Sequence, residues 1–302
     1  MTRLKLEILS LVLAALSANV AAAPPTDATV ERNASGAVFA YWTSADPVDV
    51  FVADRADAGL KSATLVSRAD TDGSATLPTG DKRSYVLLRD PRSGQVVRVA
   101  ERLVPLERGS NFRDIGGYAV AGGRHVRWGL IYRSGATPML SERDREQIRA
   151  LVLTEMIDLR SDEERVLAPS RIDGVHYSAV GYSMTSLNFT ASVTDSYRAM
   201  PLGLRPQLRL LFASLLRGDG PLVYNCSAGQ DRTGIATALI LSARGAPGAA
   251  RVAAAPPPRD DPGGLPPLDP LSPAAERDAA DRPGAGREQS GRCAVREIPA
   301  GR

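Results

Sequence analysis

Between residues 27 and 106 the chain alternates apolar and polar positions in short runs. AVFAYWTS (37–44), PVDVFVADR (47–55), SATLVSR (62–68), RSYVLLRD (83–90) and GQVVRVAERLVPL (94–106) carry the alternation, with turn-prone stretches such as TDGS and DPRSG between them. A two-residue period buries one face of a strand and wets the other. Short strands at this spacing predict a small all-β, sandwich-like domain over residues 24–105, of immunoglobulin-like or fibronectin-like topology. It reads as an accessory or recognition module without chemistry of its own.

From about Leu106 the period changes. Ser141, with Asp144 three positions on, resembles a capping box and opens an amphipathic helix, SERDREQIRALVL, that runs into the strand-like TEMIDLRS. LRPQLRLLFASLLRG places Leu204, Leu208, Leu211 and Leu215 at helical spacing and stops at Gly218; GPLVYN then reads as a buried strand and TGIATALILSA as a helix. Strand and helix in alternation predict an α/β layout over residues 106–243, with a mostly parallel sheet flanked by helices.

Two segments stand apart. MTRLKLEILSLVLAALSANVAAAPP has Arg3 and Lys5, an apolar stretch from Ile8 to Ala18 and small residues around Ala21 to Ala23. It reads as a signal peptide over residues 1–23, although Glu7 weakens the pattern and an uncleaved anchor is the alternative. Cleavage would give a periplasmic or secreted protein with no stable membrane span. At the other end, residues 244–302 hold 11 of the 22 prolines, eight glycines and no aromatic residue. That Pro-, Gly-, Ala- and Arg-rich composition cannot bury enough apolar area to offset chain entropy, which predicts disorder.

At 302 residues and 43% apolar content the chain has room for two ordinary domains. Its net charge of +3 balances 37 basic against 34 acidic residues and marks no nucleic-acid partner. Only Lys5, Lys61 and Lys82 are lysines, a bias that looks like GC-rich coding rather than a binding surface. The two histidines, His125 and His176, stand in no metal-ligand spacing, so metal-dependent hydrolysis and a serine-histidine triad both lack parts, and no metal or cofactor is expected. The two cysteines, Cys226 and Cys293, make a poor disulfide framework for an exported chain.

VYNCSAGQDRTG, residues 223–234, offers Cys226 another use. The ordinary reading of a lone cysteine is a small buried hydrophobe. Here it closes a strand, and the loop Ser227 to Arg232 runs into a helix beginning near Thr233. Backbone N–H groups at such a junction converge on one point, the helix dipole adds to them, and the Arg232 guanidinium can hold two phosphate oxygens. The same field favours the thiolate, which is the attacking form of sulfur. Gly229 and Gly234 suit a tightly curled loop that packs closely. The arrangement fits attack by sulfur on phosphorus, with a phosphocysteine intermediate that water hydrolyses.

A lone Cys-x5-Arg is a weak signal in an arginine-rich chain, but four ordered blocks agree. NCSAGQDRTG is similar to the signature loop of the cysteine-dependent protein-tyrosine phosphatase superfamily, especially the bacterial tyrosine/serine phosphatase branch with HCxAGKDRTG. NFRDIGGY (111–118), GLIYRSGA (129–136) and MIDLRSDEE (156–164) resemble the other blocks of that branch in the same order. The resemblance covers residues 106–243 and implies Cys226 as nucleophile, Arg232 as phosphate clamp and Thr233 as the hydrogen-bond partner of the departing thiolate. Ser227, Ala228, Gly229, Gln230, Asp231 and Arg232 would form the substrate-binding loop. Asp158 and Asp231 are both candidate general acids. Asp158 is preferred for its place at a strand end, with an ion pair to Arg160 or Arg133 as its alternative. Asn111, Arg113 and Asp114 would brace the loop, and Tyr197 would pack in the core or flank the substrate.

Three departures qualify the resemblance. Asn225 replaces a histidine that helps hold the loop and tune the thiolate, and an amide cannot carry a charge. Gln230 replaces a lysine, which makes a phosphorylated side chain or small phosphoester a better substrate than a polyanionic phosphoinositide. After Ala243 the family continues with further helices where this chain reads ARGAPGAARVAAAPPP, so the domain is expected to be C-terminally incomplete. The tail would be either an extension or the product of a shifted reading frame. The expected function is metal-independent hydrolysis of phosphotyrosine, extending to phosphoserine or phosphothreonine. A phosphate-binding protein without turnover, a phosphoinositide phosphatase and a sulfur transferase are the alternatives.

Overall fold

The computed structural model describes residues 23–78, 80, 83–187 and 192–247. The expected signal peptide, nearly all of the expected disordered tail and Cys293 lie outside them. No helix among the described residues is long and apolar enough to cross a membrane.

The alternating runs form strands. These are β1 Thr26–Arg32, β2 Val38–Thr43, β3 Val48–Ala53, β4 Thr64–Asp70, β5 Ser74–Leu77, β6 Tyr85–Arg89 and β7 Val96–Ala100. They make two antiparallel sheets, in the orders β1-β2-β5 and β4-β3-β6-β7. On β2 the period is visible directly: Val38, Ala40 and Trp42 are buried while Tyr41 and Thr43 are exposed. Val38 and Trp42 from one sheet meet Val48, Val50, Val86 and Leu88 from the other in a single core. β1 and β5 fall outside the five apolar runs because their signal is thin. Only Val30 is buried on β1, and β5 is four residues long.

The second half is mixed α/β. Its sheet runs β13 (His176–Ala179), β12 (Glu155–Asp158), β14 (Leu222–Asn225), β11 (Ile131–Ser134) and β8 (Arg113–Asp114) in spatial order. The first four are parallel and β8 is antiparallel to β11. A small hairpin, β9 (Ala119–Val120) with β10 (Arg124–His125), lies beside it. The helices are α1 Glu142–Arg149, α2 Asp162–Leu167, α3 Val193–Gly203, α4 Arg205–Arg217 and α5 Asp231–Ala243.

β14 is buried at all four positions because both of its faces are covered, which is why it reads as an unbroken apolar run. Leu222 and Tyr224 pack with Leu208 and Leu211 of α4 and with Ala236 and Ile240 of α5. Val223 faces the other way, toward Ile148 of α1, Tyr132 and Met156. The capping box at Ser141 and Asp144 is formed on both sides. Helix α1 nonetheless ends at Arg149, short of the expected run, and the chain turns through Val152 at a φ of +53°.

The two halves share side chains. Trp128, from the segment before β11, is buried in the sandwich core, and its Nε1 donates to the Arg98 carbonyl at 3.1 Å. Gly116 and Gly117 are required beneath it: a Cβ on either would come within 2.6 Å or less of Trp128 atoms. Arg83, just before β6, is buried and donates to Asp114 Oδ2 at 2.9 Å and to the hydroxyls of Tyr85 and Tyr132 at 2.9 and 3.3 Å. The sandwich is therefore not hung on a linker.

Candidate active site

The loop between β14 and α5 holds Cys226. An apolar strand delivers it to the sheet's C-terminal edge, and the chain must then reverse within five residues to start α5 at Asp231. Gly229 makes the reversal at a φ of +70°, and a Cβ there would stand 2.5 Å from Gly135 N and 2.6 Å from the Ser134 carbonyl carbon. Only glycine fits this close approach.

Four carbonyls of the loop are pulled outward. Ala136 N donates to Ser227 O at 2.9 Å, and the Asn111 amide donates to Ala228 O and Gly229 O at 3.1 and 2.9 Å. Arg133, buried on β11, donates to Gly229 O and Gln230 O at 2.7 and 3.3 Å. In a planar trans peptide the N–H of the next residue points opposite to the carbonyl. The N–H groups of Ala228, Gly229, Gln230 and Asp231 are thereby turned to the other side, and none of the four donates to a protein acceptor among the described residues. This is a nest built for an anion at a helix N-terminus. Asn111 holds its place at a φ of +58°.

Cys226 opens this loop directly after β14, 2% exposed, with its sulfur 3.4 Å from the Thr233 hydroxyl. Arg232 stands at the rim. Its two terminal nitrogens donate to the two oxygens of Glu164 at 2.5 and 2.7 Å, and Nη1 also donates to the Tyr182 hydroxyl at 2.9 Å. Burial by itself would raise the Glu164 carboxyl, but the hydrogen bonds from Arg232 and from Ser227 outweigh it and bring the carboxyl down to about 2. The same pair overcomes the desolvation of Arg232 and holds that guanidinium above its ordinary value. Beneath the loop, burial and the neighbouring Arg133 bring Arg113 down to about 10.

Ser227, Ala228, Gln230 and Asp231 are exposed, and Gly229 is buried against β11. Asp231 accepts a short hydrogen bond from the Tyr197 hydroxyl of α3. Tyr197 is 44% exposed, so it is not a core side chain. Asp158 does not open on the loop: it is fully buried, Arg160 Nε and Nη2 donate to it at 3.0 and 2.7 Å, and the Tyr177 hydroxyl adds 3.0 Å. The expected alternative of an ion pair with Arg160 is what the geometry contains. Asp114 braces the segment before β11, accepting from Gly116 N and Gly129 N at 2.7 Å each. Asn225 is fully buried with its Oδ1 unpaired among the described residues, and its amide reaches only the Cys226 carbonyl at 3.4 Å.

Glu164 and Tyr182 went unremarked in the reading of the sequence, and Arg133, considered there only as a partner of Asp158, holds the Cys226 loop instead. Glu164 had a signal, since it ends the MIDLRSDEE block and closes a capping box with Ser161. Tyr182 had none. Among the described residues no group of three His, Cys, Asp or Glu side chains is placed to hold a metal ion.

A buried thiol at the start of a glycine-turned loop, with an arginine at the head of the following helix, is an arrangement on an α/β scaffold that suits an anion such as phosphate. Residues 104–253 belong to the tyrosine phosphatase family, which they match along that length. The chain is 34% identical over 155 residues to a protein of Cupriavidus necator named as a tyrosine-protein phosphatase. It is 31% identical over 173 residues to the triple specificity protein phosphatase of Mycobacterium tuberculosis, and 30% identical over 120 residues to a tyrosine-protein phosphatase of Nostoc commune. These alignments take in 45%, 45% and 36% of this chain and 55%, 61% and 41% of the relatives, less than two thirds of each.

Proposed function

We propose that the chain hydrolyses phosphotyrosine through a phosphocysteine intermediate. The observation that carries the reading is Cys226 at the start of a loop in which the N–H groups of Ala228, Gly229, Gln230 and Asp231 find no protein acceptor among the described residues, with its sulfur 3.4 Å from Thr233 and Arg232 at the head of the following helix. Four N–H groups and a guanidinium match the oxygens of a phosphoryl group and the charge they gather during transfer. The hydroxyls of Tyr182 and Tyr197, bonded to Arg232 and Asp231, bring two aromatic rings to the site, which suits an aryl ester. Gln230 leaves the rim without the charge that would favour polyanionic lipids. Activity on phosphoserine and phosphothreonine is part of the proposal and rests on the resemblance to the tyrosine/serine branch. Export is also part of the proposal; it rests on the signal-peptide-like pattern of residues 1–23 and would place the substrates outside the cytoplasm.

In the first step the Cys226 thiolate forms the S–P bond while the P–O bond to the tyrosyl oxygen breaks and Asp231 gives that oxygen a proton. In the second, a water oxygen bonds to phosphorus, its proton passes to the Asp231 carboxylate, and the P–S electron pair returns to sulfur, where the Thr233 hydroxyl can donate to it. Inorganic phosphate leaves. Asp231 is assigned the acid because it is exposed on the loop, whereas both oxygens of Asp158 are engaged inside the protein.

The test is hydrolysis of p-nitrophenyl phosphate by the purified chain with EDTA present, beside Cys226→Ser. Steady turnover that disappears in Cys226→Ser is expected. Turnover that survives in Cys226→Ser would overturn the mechanism. An inactive wild type that binds vanadate would replace the reading with a phosphate-binding protein without turnover.

A further inference from the structure

We propose that Tyr197 is a positioning residue for the proton transfer: its hydroxyl holds Oδ1 of Asp231 so that Oδ2 is the oxygen that exchanges the proton with the substrate. The inference rests on Asp231 being the general acid. Tyr197 reaches the loop from α3, and its hydroxyl donates to Asp231 Oδ1. The helix is well placed to hold it, since Met200 and the C-terminal Leu204 are buried with Leu208 and Ile240 in the core beside the loop. The Tyr197 ring itself is 44% exposed, so core packing does not explain why it is there. The hydrogen bond to Asp231, followed by partial burial, pushes the Tyr197 hydroxyl above its ordinary value, and it stays a donor.

A neutral carboxyl carries its proton on one oxygen. With a donor fixed on Oδ1, the protonated form has its O–H at Oδ2, and the carboxylate formed by the first step presents that same oxygen to water in the second. Without the donor, either oxygen can carry the proton and the carboxyl can rotate away from the leaving group. The penalty therefore falls on reactions that need the proton most, those with a basic leaving group.

The experiment compares kcat/KM, which reports the steps up to P–O cleavage, for phenyl phosphate and p-nitrophenyl phosphate in wild type, Tyr197→Phe and Asp231→Asn. In Tyr197→Phe the loss is expected to be about tenfold greater for phenyl phosphate than for p-nitrophenyl phosphate, a part of the hundredfold or more that a positioned acid supplies. The thermal midpoint should match that of wild type. Equal losses on both substrates, or no loss, would overturn the proposal. Asp231→Asn separates the two readings. If it shows the larger leaving-group dependence and Tyr197→Phe shows none, Tyr197 alone is wrongly assigned; if Asp231→Asn shows none, the acid assignment fails and Tyr197 fails with it.

Discussion

Glu164 meets both terminal nitrogens of Arg232, at 2.5 and 2.7 Å, and so fixes the plane of the guanidinium before any phosphate arrives. A fork held along one edge cannot swing, and orientation settled in advance is not lost again on binding. Glu164→Gln keeps the shape and removes the charge. Charge-assisted hydrogen bonds contribute roughly 1.5–3 kcal/mol, so vanadate affinity and kcat/KM should fall about tenfold to a hundredfold. An unchanged vanadate titration would show that Arg232 needs no such support.

The same pair has a pH signature. The Glu164 carboxyl is brought from 4.5 down to about 2, so the folded state prefers its ionised form. Stabilisation from a depressed carboxyl is complete above the unfolded value and is lost as pH falls through the folded one. Wild type and Glu164→Gln should therefore differ in thermal midpoint at neutral pH, and the gap should close between about pH 4.5 and pH 2. Because the pair is partly exposed, solvent screening keeps the gap small. A constant gap across that range would mean that the carboxylate contributes nothing through its charge.

Gly229→Ala tests the nest rather than the clamp. A Cβ at φ +70° would stand 2.5 Å from Gly135 N and 2.7 Å from Ser134 O, both backbone atoms that cannot rotate aside. Strain of this kind costs about 1–3 kcal/mol before the clash is counted. The variant should fold, with a lowered thermal midpoint, and should lose vanadate binding and turnover together. Wild-type vanadate affinity in Gly229→Ala would show that the loop tolerates another course.

What the sequence made legible was local. Val38, Ala40 and Trp42 announce a strand face by their period, Leu204, Leu208 and Leu211 a helix face by theirs, and the Cys226 loop its chemistry by glycine and arginine at fixed offsets. What stayed hidden depends on contacts between distant positions. Glu164 and Arg232 are 68 residues apart, Tyr197 and Asp231 34, Arg83 and Asp114 31, and no periodicity couples such pairs. β1 was hidden for a different reason: a sheet-edge strand that buries only Val30 has almost no apolar pattern to detect.

Arg83 and Trp128 make the sandwich part of the α/β half's stability. Trp128→Ala empties a site in the sandwich core and should cost about 3–5 kcal/mol. Arg83→Met removes the only guanidinium paired with the buried Asp114 among the described residues and should cost a comparable amount, though Gly116 N and Gly129 N still bond that carboxylate. Urea unfolding should give one transition for the whole chain, shifted to lower urea in both variants. Two separate transitions, with only the first shifted, would show that the halves fold independently.

Asp158→Asn decides between the two carboxylates. Arg160 is nearly fully buried and takes its counter-charge from Asp158, with which it shares three side-chain contacts between 2.7 and 3.2 Å. Leaving a buried guanidinium uncompensated costs about 3–5 kcal/mol, so the variant should lose that much stability in urea. Its activity per folded molecule should fall by the same factor on phenyl phosphate and p-nitrophenyl phosphate, because a structural ion pair does not sense the leaving group. A selective loss on phenyl phosphate with stability intact would identify Asp158 as the proton donor. In that case its enclosure by Arg160 and Tyr177 would have to open before the chemistry, and Asp231 would be left with a role in the loop alone.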